Sequence, residues 1–113
     1  MSIRITEREV NGVAVLDCSG RITLGEATLR ETIRELVARG QKNILLNLDA
    51  VGYVDSTGIQ ELVNSFISVS NQGGNLKLMN LQKRAHDLLQ ITKVYTAFEV
   101  YDDEAEAIAS FGR

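Results

Sequence analysis

Proline is absent from these 113 residues, cysteine occurs once, and so does histidine. Each shortage removes a class of explanation. Without proline, the loops must be set by glycine and by Asn and Asp chemistry. Cys18 has no second cysteine for an internal disulfide, so a reducing, cytoplasmic setting is expected. One thiol and one imidazole, His86, do not make the ligand set of a structural zinc site. No apolar run approaches the ~20 residues of a membrane span, so no membrane insertion is expected. The opening Met1-Ser2-Ile3-Arg4 lacks the charged and apolar regions of a signal peptide. A formal net charge of −3 argues against non-specific nucleic-acid binding.

What is present is globular: 44% hydrophobic, 24% charged, at a length that suits one domain, 1–113, with one core. Ile3 and Ile5 alternate with Arg4, Thr6 and Arg8, which predicts a half-exposed strand over 3–9. Asn11-Gly12 is a strong hairpin signal, and Val13 to Leu16 reads as the antiparallel return, continued by Cys18 as a small buried hydrophobe. Gly20 to Gly25 breaks the pattern and is expected to be a loop. Leu29, Ile33, Leu36 and Val37 recur at helical spacing, with Gly40 as the C-terminal stop. Arg30, Glu31, Arg34 and Glu35 fall on the opposite, solvated face.

Asn43 to Leu48 suits a central strand buried on both faces, and Asp49 to Val54 then carries the chain onward as a connection. Ile59, Leu62, Val63, Phe66, Ile67 and Val69 form the stripe of a second helix, which stops at Asn71-Gln72-Gly73-Gly74. Leu76 to Met79 reads as a strand. Leu81, Ala85, Leu88 and Leu89 indicate a shorter helix with His86 on its polar side. Phe98 to Tyr101 is the last strand. Asp102-Asp103-Glu104 opens the last helix, where acids favour the dipole, with Ala105, Ile108 and Phe111 facing in. The order β-β-α-β-α-β-α-β-α predicts an α/β domain. Its sheet should be mixed but mostly parallel, of about five strands with about four helices, the first strand antiparallel at or near an edge. Strand order does not follow from the pattern.

Between the central strand and the second helix lies Asp55-Ser56-Thr57-Gly58. Two hydroxyls, a carboxylate and a glycine are the chemistry of a helix N-terminus, where backbone N–H groups lack partners and favour anions. Ser56 is not set up as a nucleophile: no Gly-x-Ser-x-Gly elbow surrounds it and His86 lies on another helix. One glycine and no following lysine fail the phosphate-loop pattern. An aspartic dyad would need a second lobe. Capping alone accounts for much of the stretch: Thr57-x-x-Gln60 has the form of a capping box, and Asp55 or Ser56 is an alternative cap. Three cap-competent residues exceed what one helix needs.

Asp55-Ser56-Thr57-Gly58-Ile59, following Asn47-Leu48-Asp49 and Val54, resembles the signature of the STAS domain family, and more narrowly of bacterial anti-sigma factor antagonists. The likeness extends to the opening hairpin, Gly20-Arg21-Ile22-Thr23, Ile44 to Asp49, Gly73-Gly74 and Val94 to Tyr101. It implies a ligand and substrate rather than an enzyme, with no cofactor. The implied partner is an anti-sigma factor that is often also a serine/threonine kinase with a histidine-kinase-like ATPase fold. That kinase would phosphorylate the serine after the motif aspartate, Ser56, with Thr57 as the alternative acceptor. A PP2C-type phosphatase would reverse it. The residues implied to meet the partner are Arg21, Thr23, Leu24, Asp55, Ser56, Thr57, Gly58, Ile59, Gln60 and Glu61, with Asp55 placing the serine hydroxyl and Gly58 allowing close approach. Two positions depart from the family pattern: Gln60 stands where glycine is common, and Thr23 where antagonists often carry an acid. Both bear on which partner docks. Competing readings are a non-switching STAS scaffold, in a signalling assembly or a lipid-transport complex, and a nucleotide-binding STAS domain.

Overall fold

The computed structural model describes residues 3–23, 27–91 and 98–112. Among these residues nine elements follow in the expected order: β1 (Ile3–Val10), β2 (Val13–Ile22), α1 (Thr28–Ala38), β3 (Asn43–Val54), α2 (Ser56–Asn71), β4 (Asn75–Met79), α3 (Lys83–Ile91), β5 (Val100–Tyr101) and α4 (Glu104–Ser110). Asn11 and Gly12 both take positive φ, 50° and 81°, as a two-residue hairpin turn of primed type demands. The hairpin sets β1 antiparallel to β2 with Val10 opposite Val13. All other pairings are parallel, and the strands lie in sequence order β1-β2-β3-β4-β5.

That order governs the layering. Each parallel crossover steps the same way across the sheet, and right-handed crossovers stepping one way place their helices on one face. Leu29, Ile33 and Leu36 of α1, Ile59 and Leu62 of α2 and Leu89 of α3 accordingly share one core with Leu16, Ile44, Leu46 and Leu78. The opposite face carries a smaller cluster, Val13, Val15, Leu45 and Met79 under Ala107 and Ile108 of α4. Beyond α4 this second face turns polar. Arg8 holds Asp17 (2.7 Å) and Glu104, and Asn47 donates to the same Asp17 carboxylate at 2.8 Å. These groups stitch β1, β2 and β3 to α4.

Several boundaries differ from expectation. Gly20, Arg21 and Ile22 belong to β2 rather than to a loop, and residues 49–54 continue β3 rather than leaving the sheet. Both extensions pair with each other through register shifts at Asp17/Ser19 and Gly20/Arg21, and such irregularities break the two-residue alternation that the eye follows. Phe98 and Glu99 precede the two-residue β5, although the Glu99 carbonyl still accepts from Leu78 N–H at 3.0 Å. On α4, Ala105 is exposed and Ala107 is buried: the inward face runs through Ala107, Ile108 and Phe111, and Ala105 falls at its margin. Ile67 is exposed, so the α2 stripe is narrower than its hydrophobic residues suggest. Val94 to Ala97 lie outside the described residues.

The polar row predicts acid sensitivity. Hydrogen bonds from Arg8 hold the Asp17 and Glu104 carboxyls below their ordinary range. A carboxyl with a depressed folded pKa contributes stability that is complete above its unfolded value, about 4, and is lost as pH falls through the lower folded value. Melting temperature should therefore fall as pH drops below about 4. Arg8→Gln should flatten that slope, measured by calorimetry from pH 7 to 2; parallel curves for both proteins would show that the row does not set it.

Candidate functional site

The site sits where β3 gives way to α2. Asp55 has extended backbone angles and is the N-cap: its Oδ1 accepts from Gly58 N–H at 2.8 Å. The same oxygen accepts from the Thr57 hydroxyl at 2.5 Å, and Oδ2 accepts from the Tyr53 hydroxyl at 3.1 Å. These donors, the Thr57 hydroxyl foremost and then Gly58 N–H, hold the Asp55 carboxyl below the usual carboxylate range. The Thr57–Gln60 capping box does not form. Gln60 instead donates to Asn64 at 3.0 Å. Asp55 won because it occupies the last extended position, where a short acceptor reaches the third amide of the helix.

Ser56 is the first residue of α2. It is exposed, and its hydroxyl makes no hydrogen bond to another described residue. Asp55 therefore orients the first turn and the Thr57 side chain rather than the Ser56 oxygen.

Gly58 is buried, and its role is internal. A Cβ there would run into the Ile22 carbonyl oxygen of β2 and lie 3.1 Å from Val54 Cγ1. Lack of a side chain lets the first turn of α2 rest on the β2 backbone. Ile59 follows at 3% exposure and anchors the turn in the main core.

Glu61 is not on the surface. It is 1% exposed, with Oε1 held 3.1 Å from Arg30 Nε, while its Oε2 and the Ser65 hydroxyl are buried without a protein partner. Its carboxylate joins α2 to α1 and is not offered to a docking protein. Sequence patterning missed this because both residues fall on faces that look solvated in isolation. The signal available was an acid next to Leu62, between the stripe positions Ile59 and Val63.

Arg21 and Tyr53 are neighbours across β2 and β3, with the Arg21 guanidinium 4.1 Å from the Tyr53 ring centre. Tyr53, 38% exposed, was not among the expected site residues, yet its hydroxyl is bonded to the cap. Thr23 is half-buried just past β2, and Leu24 lies outside the described residues. A cleft of about 310 Å³ lies beside Tyr53, between Gly52, Val54 and the α3 residues Arg84, Asp87, Leu88 and Ile91. The larger cavity, about 530 Å³, is elsewhere, between the hairpin tip and α4.

Cys18 and His86 lie outside this site. Cys18 is buried, and burial pushes its thiol up to about 12, so it does not supply a thiolate at neutral pH. His86 is half-buried on α3, and no group of three or more His, Cys, Asp or Glu able to hold a metal occurs among the described residues. No described helix is long and apolar enough to cross a membrane.

Fold and site together define a small α/β domain that presents the exposed Ser56 hydroxyl at a capped helix start. The STAS domain model matches residues 4–107, and the chain belongs to that family. An anti-sigma-B factor antagonist of Bacillus subtilis is 34% identical over 93 residues, 81% of this chain and 84% of that protein. The solved structure of an anti-sigma factor antagonist from Mycobacterium paratuberculosis superposes with a TM-score of 0.85 at 19% identity, covering 99% of this chain and 96% of that one. The Bacillus cell fate determinant SpoIIAA in its phosphorylated form gives 0.71 at 17% identity, with 95% and 98% covered.

The Gly58 contact is testable. Gly58→Ala should destabilise the domain by ~1–3 kcal/mol, since the obstacle is backbone and cannot swing aside. Amide shifts should change together at Ile22 and at residues 55–59. A variant of unchanged stability and spectrum would show that the turn does not rest on β2.

Proposed function

We propose that this protein is an anti-sigma factor antagonist: it binds an anti-sigma factor in its unphosphorylated form, so that a sigma factor is freed, and phosphorylation of Ser56 abolishes the binding. The observation that carries this is the Ser56 hydroxyl, exposed and unengaged on the first residue of a capped helix. Family membership and relatives named as antagonists support the same role. The protein acts as substrate and ligand in the cytoplasm, and the catalysis belongs to a kinase partner and an opposing PP2C-type phosphatase.

Geometry favours Ser56 over Thr57. The Thr57 hydroxyl is bonded to the Asp55 carboxylate at 2.5 Å, so esterifying it breaks the cap and sets a phosphate against that carboxylate. Esterifying Ser56 breaks no bond within the described fold, and the free N–H groups of the first turn favour the added charge. Gln60, exposed beside the serine, and Arg21 across from it are surface groups available to the partner. Gly58 and Glu61 contribute through the fold: one seats the helix, the other ties it to α1.

Ser56→Ala should keep its melting temperature and lose ATP-dependent labelling by the cognate kinase; full labelling of that variant would refute the assignment. Ser56→Asp should bind the anti-sigma factor at least tenfold more weakly by calorimetry, with equal affinities counting against the switch. The partner itself is found by isolating the protein from its native cells and reading the intact mass for one added phosphate in the same sample.

A further inference from the structure

We propose that Arg21 is the intramolecular counter-cation of a phosphate on Ser56, so that the modified state is closed by an internal ion pair. This rests on Ser56 being the modified residue. The extension of β2 to Ile22 puts Arg21 in register with Tyr53 and Ile22 with Val54. The Ile22 carbonyl lies directly beneath Gly58, which brings the end of β2 against the first turn of α2. Tyr53 bridges the gap: Arg21 lies over its ring at 4.1 Å, and its hydroxyl donates to Asp55, the residue before Ser56.

Charge partnering narrows the choice. Arg8 is committed to Asp17 and Glu104, Arg30 to Glu61, and Lys83 to Asp87. Arg4, Arg21, Arg34, Lys42 and Arg84 are exposed and have no carboxylate within ion-pair distance among the described residues. Of these, Arg21 contacts the residue bonded to the cap, whereas Arg84 lines the cleft on the α3 side. A guanidinium resting on an aromatic face keeps its five N–H donors, and a phosphate offers paired oxygens that match its fork. Before modification the ring stores the cation close to the serine without pairing it; afterwards the stronger, charge-assisted contact takes over.

The test needs neither kinase nor partner. Phosphoserine is installed at position 56 by codon suppression, and ³¹P NMR follows its second ionisation. In the otherwise native protein it should lie below the value of about 6 for phosphoserine in general. Asp55 stays ionised throughout, since its carboxyl is held below the usual range, and contributes a constant opposing field. In Arg21→Gln the ionisation should rise by ~0.5–1 unit. Arg21→Lys, which keeps the charge and loses the fork, should fall between, and serves if the Gln variant unfolds. Arg84→Gln should leave the value in place. Identical ionisation with and without the Arg21 charge overturns the proposal, as does a shift that follows Arg84 alone. Failure here would leave Ser56 as the switch residue, and lack of labelling by any kinase would leave the ion pair measurable.

Discussion

The start of α2 rests on the backbone of β2, and this depends on position 58 having no side chain. The Ile22 carbonyl occupies the space a Cβ would need. Carbonyl and helix are both parts of hydrogen-bonded frameworks, so neither yields cheaply. The cap bond from Gly58 N–H to Asp55 contributes about 1 kcal/mol. Seating the turn against the sheet contributes more, because it also buries Ile59 and Leu62 in the main core. The serine is displayed as a result: once residues 58 and 59 are held down, residue 56 is left at the rim, facing water.

Topology decides where that rim lies. In a sheet whose strand order reverses, neighbouring crossovers diverge and leave a ligand crevice at the reversal. Here the order runs β1 to β5 without reversal. The three crossover helices close ranks on one face, and no such crevice opens among the described residues. What the C-terminal edge presents is the mouth of one helix, with the prolonged ends of β2 and β3 beside it. The long strands carry Arg21 and Tyr53 up to the cap, paired across β2 and β3, each beside a neighbour that faces the main core. A protein partner suits that geometry better than an enclosed small molecule does.

Much of this was legible in sequence. The 3-4-3 spacing of Ile59, Leu62, Phe66 and Val69, the Asn11-Gly12 turn and the apolar run from Ile44 to Leu48 each signal one local structure, and each formed. The resemblance pointed to the STAS family, and the family match supports it. What was not legible came from pairing between distant segments. Gly20 to Ile22 read as a loop because glycine and arginine break an apolar pattern, yet β3 supplies the partner that keeps them extended. Glu61 was expected to meet a partner, as the resemblance implies, yet it is buried, and Arg30, thirty-one residues earlier, makes that burial tolerable. Gly58 read as room for a visitor because nothing local reveals that the Ile22 carbonyl already fills it.

The magnitudes indicate how a phosphate on Ser56 would act. A helix start favours an added anion by about 0.3–1 kcal/mol, and the phosphate carries roughly −1.5 to −2 charges at pH 7. Asp55, adjacent in sequence, opposes it, while an exposed position admits water and ions that screen both effects. Within the free protein these two terms are small and of opposite sign, so the backbone has little reason to rearrange. At an interface the balance changes. Water is excluded, the effective dielectric falls, and one like-charge contact at 4 Å then costs on the order of 4 kcal/mol. A penalty of ~3 kcal/mol already lowers affinity more than a hundredfold. A phosphate that the fold would tolerate on its surface would thus be one that a docked protein rejects, and the selectivity would arise from where the serine is held rather than from a backbone movement.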